Sequence, residues 1–265
     1  MFDSSIAGLF GGWPFLDYEF VPRRLLAAVA CSRLATGEAV GLPALRVRSP
    51  TDCLSPHLGE LVRNTNASRL TEESDQLSPS QTGAVERAKT VIKSRIPPWA
   101  DLIDIPLRFR IVDRPGVISC SCFSHPQTVF LAEAAFDSEM QLMEQMVHEL
   151  CHVWAYLIEE TLPFQQTPSD VLFTLPSGTA GKNAVEVLGA GYVGATLHRW
   201  YSTATTGPAV WRRLAELRQY VAGCVAVVDG VRVYSPSGQE LLRRLASFAR
   251  GAAARQAAHA DAWRE

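Results

Sequence analysis

This 265-residue chain has no stretch of about 18 or more apolar residues, so its sequence offers no helix that could cross a membrane. An excess of positive charge is also missing. The formal net charge is -2, and no basic field points to nucleic acid or to an anionic membrane as a partner. Closely paired cysteines are lacking too. Cys31, Cys53, Cys120, Cys122, Cys151 and Cys224 form no CxxC pair, and a CxC spacing on a strand is poor disulfide geometry. A reduced, cytoplasmic protein is the expectation. No internal repeat is visible. The remainder is ordinary globular material, 47% hydrophobic and 20% charged, enough for one large domain or two small ones.

The run RRLLAAVAC (Arg23 to Cys31) superficially resembles a short export signal ending in a lipidated cysteine. Its apolar part is short and begins more than twenty residues in, so it reads as an internal amphipathic helix over 20–36. From about 48 to 85 the composition turns to Ser, Thr, Asp and Pro, which predicts a polar connector with one short helix near its middle. Beyond it, GAVERAKTVIKSRI predicts a helix stopped by Pro97-Pro98. PLRFRIVD and TVFLAEAAF read as strands, with RPGVISCSCFSHPQ between them as a third strand and a turn. Ser138 is placed to cap the next helix, with Gln141 reaching back in a capping box. Three further helices follow a loop. The expected fold is α+β and mostly helical, with an N-terminal helical segment over 1–47, a connector over 48–85 and a catalytic domain over 86–265.

The helix begun at Ser138 carries the chemistry. QMVHELCHVWAYL, residues 145 to 157, sets His148 and His152 four apart in an otherwise apolar run, with Glu149 following the first. Residues four apart share a helical face, so both imidazoles can converge on one ion. Neutral imidazole suits zinc and ferrous iron. Glu149 is rotated about 100° from His148, near a metal-bound water, which is the arrangement of the HExxH metallopeptidases, where the glutamate is general base. Met143, Met146, Val147, Leu150, Val153, Trp154 and Leu157 predict that the helix is buried. Buried imidazoles and a carboxylate without partners would each cost several kcal/mol, so a metal is the expected partner, with a satisfied structural pair as the alternative.

A third ligand must come from elsewhere, because Glu159 and Glu160 lie roughly 10 Å of helix rise beyond His152. Glu186 is the leading candidate, since Gly189, Gly191 and Gly194 follow it on an otherwise apolar helix. Those glycines predict close packing of that helix against the histidine helix. His198 and Asp170 are the alternatives. Tyr156 lies one turn beyond His152, where it can meet a substrate or anchor the helix end. TVFLAEAAF is expected to bind an extended peptide by strand addition.

The segment from 87 to 245 resembles the bacterial HExxH proteins of peptide-modification gene clusters, associated with 2-oxoglutarate-dependent peptide β-hydroxylation. The likeness runs through ERAKTVIKSRIPPWADLIDIPLRFRIV, ISCSCFSHPQTVFLAE, LMEQMVHELCH, VLGAGYVGATLHRW and YSPSGQELLRRLA. It implies a zincin-like core with a small sheet on the HExxH helix, iron(II) held by His148 and His152, 2-oxoglutarate, and a peptide substrate, which could be a leader-bearing precursor. The downstream helix of that family carries a histidine ligand near this chain's Leu188-Gly189, so Glu186 or His198 would take its place here. The co-substrate's distal carboxylate needs a cation, for which Arg199, Arg108 and Arg110 are candidates. The competing expectations are a zinc metallopeptidase with Glu149 as general base and a non-enzymatic binding module with a structural metal or none.

Overall fold

In the computed structural model, residues 5–39, 52–63, 74–203 and 207–262 are described. Parts of the expected connector, at 48–51 and 64–73, lie outside them. The fold is α+β and mostly helical, with one four-stranded mixed sheet. The described residues fall into two compact units, one within Ala7–Thr161, the other within Leu162–Glu265 together with the residues up to Ile6. No described helix is long and apolar enough to cross a membrane.

The first unit contains helices α1 (Pro22–Ala39), α2 (Pro56–Arg63), α3 (Pro79–Arg95) and α4 (Glu139–Glu159). Its strands are β1 (Ser74–Gln76), β2 (Arg108–Val112), β3 (Ser119–Cys120) and β4 (Thr128–Leu131). Within the stretch read as a connector, α2 buries Leu58 and Val62, and β1 joins the sheet opposite β2. The sheet order is β1-β2-β4-β3, with β2 and β4 parallel and β3 antiparallel to β4. β4 is buried along its whole length, as its β-branched and aromatic residues favour.

The placement of β4 corrects one expectation. TVFLAEAAF is a strand only as far as Leu131, and Glu133–Phe136 turns into a 3-10 helix. β4 is paired on both sides, so strand addition to it is foreclosed, and β3 is the strand at that edge. The left-handed Gln127 (φ 53°) makes the turn into β4. Its amide nitrogen donates to Leu54 O and Pro106 O at 2.8 and 2.7 Å, which fixes the end of the β3–β4 connection.

Helix α4 packs against α1, α3 and the β3–β4 side of the sheet. All seven apolar residues expected to face inward are buried, and Met146, Val147, Leu150 and Trp154 are fully so. Each such side chain contributes about 1.5–3 kcal/mol. The Trp154 indole N–H donates to Leu102 O at 2.9 Å, so the large ring enters the core without leaving its polar atom unmet. Ser138 caps the helix by accepting from Gln141 N. The capping box is not completed, because Gln141 Nε2 donates to Ala134 O.

The second unit is helical: α5 (Ala184–Ser202), α6 (Pro208–Val227) and α7 (Pro236–Ala262) pack on one another. A Cβ placed on Gly194 would lie 2.9 Å from Val221 Cγ2 of α6, and one on Gly191 would lie 3.0 Å from Leu245 Cδ1 of α7. Gly191 and Gly194, expected to admit the histidine helix, serve these contacts with α6 and α7.

Candidate metal centre

His148, His152 and Tyr156 form a column on one face of α4. Their spacing of four residues per step keeps successive side chains one above another. The two imidazole centroids are 5.2 Å apart with planes tilted by 53°. Tyr156 stacks on His152 at 6.1 Å and 19°. Both imidazoles are half-buried, and 38% of the His148 side chain is exposed. The face is therefore reachable from solvent, unlike the opposite one.

Glu149 points elsewhere. Only 2% of it is exposed, and its two oxygens accept hydrogen bonds from Ser119 Oγ at 2.6 Å and Ser121 Oγ at 2.7 Å. Ser119 Oγ also lies 2.7 Å from the Gln145 side-chain amide. A hydroxyl has one proton, and a carboxylate is the stronger acceptor, so Gln145 meets Ser119 through its NH2 group. Sequence reasoning missed Ser119 and Ser121. The signal was present in ISCSCFS: serines two apart on a strand face the same side. Between them the Cys120 thiol is pushed up to about 11, chiefly by burial and then by Glu149.

Tyr156 anchors more than it reaches. Its ring meets Phe123 edge-on at 5.9 Å, while its hydroxyl lies a long 3.5 Å from Ser121 O. Phe123 in turn lies under the Arg63 guanidinium at 3.9 Å. Arg63 and Arg33 both pair with Glu160, the residue that ends α4, and Arg33 does so through two 2.8 Å contacts. Glu160 thus serves a buried ion cluster. Burial pushes the neighbouring Glu159 carboxyl up to about 7, with Arg63 opposing the shift.

The other expected site residues have local partners of their own. Glu186 completes a capping box with Asn183, each side chain meeting the other's backbone N–H at 2.9 Å, and its carboxylate accepts from Lys182 Nζ at 2.8 Å. Burial alone would raise its pKa, but Lys182 and the Asn183 N–H outweigh that and hold it below the usual carboxylate value. His198 is buried, and its Nε2 accepts from Arg218 Nε at 3.0 Å. That lone pair is engaged with a cation. Arg108 pairs with Glu60, and Arg110 donates to Ser74 O at 2.8 Å, tying β2 to β1. Arg199 is half-buried in the last turn of α5, and Asp170 lies in the 162–183 segment.

The donor set carried by α4 is two imidazoles on an accessible face, which suits ferrous iron or zinc. Among the described residues, no group of three or more His, Cys, Asp or Glu side chains converges as a metal would require. No protein-family model matches the chain, and no curated protein matches it closely enough to infer shared origin.

Proposed function

We propose that this protein is a mononuclear metalloenzyme acting on a peptide, with a zincin-like core and iron(II) and 2-oxoglutarate as metal and co-substrate. The observation that carries the hydroxylase reading is the tethering of Glu149. Both of its oxygens are occupied by serine hydroxyls, so it is better placed to lock α4 to β3 than to take a proton from water. His148 and His152 would hold the ion. Bound iron with 2-oxoglutarate and dioxygen would supply the oxidising power to insert one oxygen atom into a peptide C–H bond, the other oxygen ending in succinate as carbon dioxide is released.

The remaining residues bind and orient. Tyr156 backs the His152 ring and limits its rotation. Phe123, 42% exposed, offers an apolar contact beside that column, and the β3 edge offers backbone groups to an extended peptide. To meet the co-substrate's distal carboxylate, Arg108 would have to give up Glu60. All six cysteines are free, which supports a reducing, cytoplasmic setting. A zinc peptidase is the second reading. It is favoured by Glu149 Oε1 lying 3.9 Å from His148 Nε2, near enough to share a water with an ion there.

Metal analysis combined with an oxoglutarate-turnover assay tests the proposal. The purified chain should hold one transition-metal ion, and with iron(II) it should consume 2-oxoglutarate. His148→Ala and His152→Ala should each remove the ion, because the ligands that remain hold it poorly. Wild-type metal content in either variant overturns the site. Metal binding without oxoglutarate turnover, together with peptide cleavage in the zinc form, overturns the hydroxylase in favour of the peptidase.

A further inference from the structure

A second site lies in the first unit, away from the histidine column. Helix α3 and the first turns of α4 line a pocket of about 250 Å³, with Phe136 also in its wall. Its walls are apolar where α3 presents Ala84 and Ala88 and α4 presents Leu142 and Met143. Two alanines one turn apart leave room where larger side chains would fill the helix–helix seam. A cavity of about 150 Å³ already holds a benzene ring, so this one accommodates a large aliphatic or aromatic side chain. Met143, unbranched and polarisable, can adapt to either.

The rim is not apolar. Arg87 stands at the α3 side, its guanidinium over Gly83 one turn back. Among the described residues it makes no hydrogen bond or ion pair. Ser80 and Ser138 place the N-terminal turns of α3 and α4 at the same mouth, and those ends carry partial positive charge. Glu139 lies on the α4 rim and complements its own helix terminus, while at the α3 end a capping box closes the helix and Gln81 Nε2 donates to Glu133 at 2.9 Å, so the group at the mouth that an incoming anion would meet is Arg87. Val91, in the pocket wall, is 36% exposed, and Met140, next to Glu139 on α4 and outside the lining, is 39% exposed. An occupant that covered them would be larger than the cavity itself.

We infer that this pocket binds a polypeptide segment that inserts one large apolar side chain and sets an adjacent Asp or Glu against Arg87. The site is separate from the proposed metal centre. His148 lies five residues beyond Met143, roughly 140° around α4 and about 7 Å further along it.

The test titrates the full chain by fluorescence anisotropy. The probe is a fluorescein-labelled glycine–serine peptide carrying one Phe-Glu pair, with a Phe-Lys peptide and octanoate as comparisons. The Phe-Glu peptide should bind saturably and at least about tenfold more tightly than Phe-Lys, the scale of one charge-assisted contact. Arg87→Glu, at an exposed position, should reverse that preference, and Ala84→Phe should abolish binding by filling the pocket. His148→Ala should leave binding unchanged, which separates this site from the metal reading. Absence of saturable binding, equal binding of both peptides, or full binding to Ala84→Phe overturns the inference. Binding of octanoate without the peptide overturns it in favour of a small amphiphile. If Ala84→Phe does not fold, the Arg87→Glu reversal decides.

Discussion

Glu149 decides between two chemistries that share the same pair of histidines. A general base works with an oxygen turned towards the attacking water, whereas a tether turns its oxygens towards partners in the protein. Ser119 and Ser121 engage both, at 2.6 and 2.7 Å in a buried setting. Glutamine has the same shape, and a serine hydroxyl can accept as well as donate, so the tether survives Glu149→Gln. If the protein is an oxoglutarate-dependent hydroxylase, Glu149→Gln should retain metal and keep oxoglutarate decarboxylation within a few fold. If it is a zinc peptidase, the same change should cost a factor of about 10² to 10⁴ in turnover. Steady-state assays of both reactions on the metal-loaded variant tell them apart. We expect the first outcome.

At the scale of elements, the downstream helix α5 illustrates what a one-dimensional pattern conceals. Gly194 gives α5 its close approach to α6, and a Cβ there would press on Val221 Cγ2, a buried and rotationally stiff side chain. Gly194→Ala should therefore destabilise by about 1–2 kcal/mol, overpacking outweighing the gain of about 1 kcal/mol in helix propensity. Equilibrium urea unfolding would measure it. A rise in stability would show that the seam is loosely packed. The glycines signalled close packing correctly, but the periodicity of a helix does not say which neighbour it packs against. Similarly, Asn183 and Glu186 form the N-x-x-E variant of a capping box, legible in the sequence. The histidine helix was more transparent, since its seven inward residues and the Ser138 cap depend only on local spacing.

For the whole molecule, helices with strong apolar periodicity were legible, as was the α+β class. The order of the strands was not, because β4 is inserted between β2 and β3 by pairing that no local pattern encodes. The ion cluster at the end of α4 was equally hidden: Arg33, Arg63 and Glu160 come from three separate segments. That cluster shapes how stability varies with pH. Glu159, beside it, has its carboxyl raised from 4.5 to about 7, mainly by burial and despite Arg63. The folded chain therefore binds this proton more tightly than the unfolded chain does. Its contribution is fully present below about pH 4.5 and is lost as pH rises to about 7. Burial lowers His125, so that residue acts in the opposite direction, stability falling as the unfolded imidazole charges below its ordinary pKa. Glu159→Gln removes the first effect and leaves the second in place, so the difference between the two proteins isolates Glu159. Relative to wild type, Glu159→Gln should gain on the order of 1–2 kcal/mol between pH 5 and pH 7.5, after allowing for partial exposure of the group. Thermal or urea unfolding of both proteins across that range provides the measurement. A difference that stays constant with pH would mean that Glu159 already carries its charge at pH 5 in the folded chain, with water or Arg63 compensating its burial.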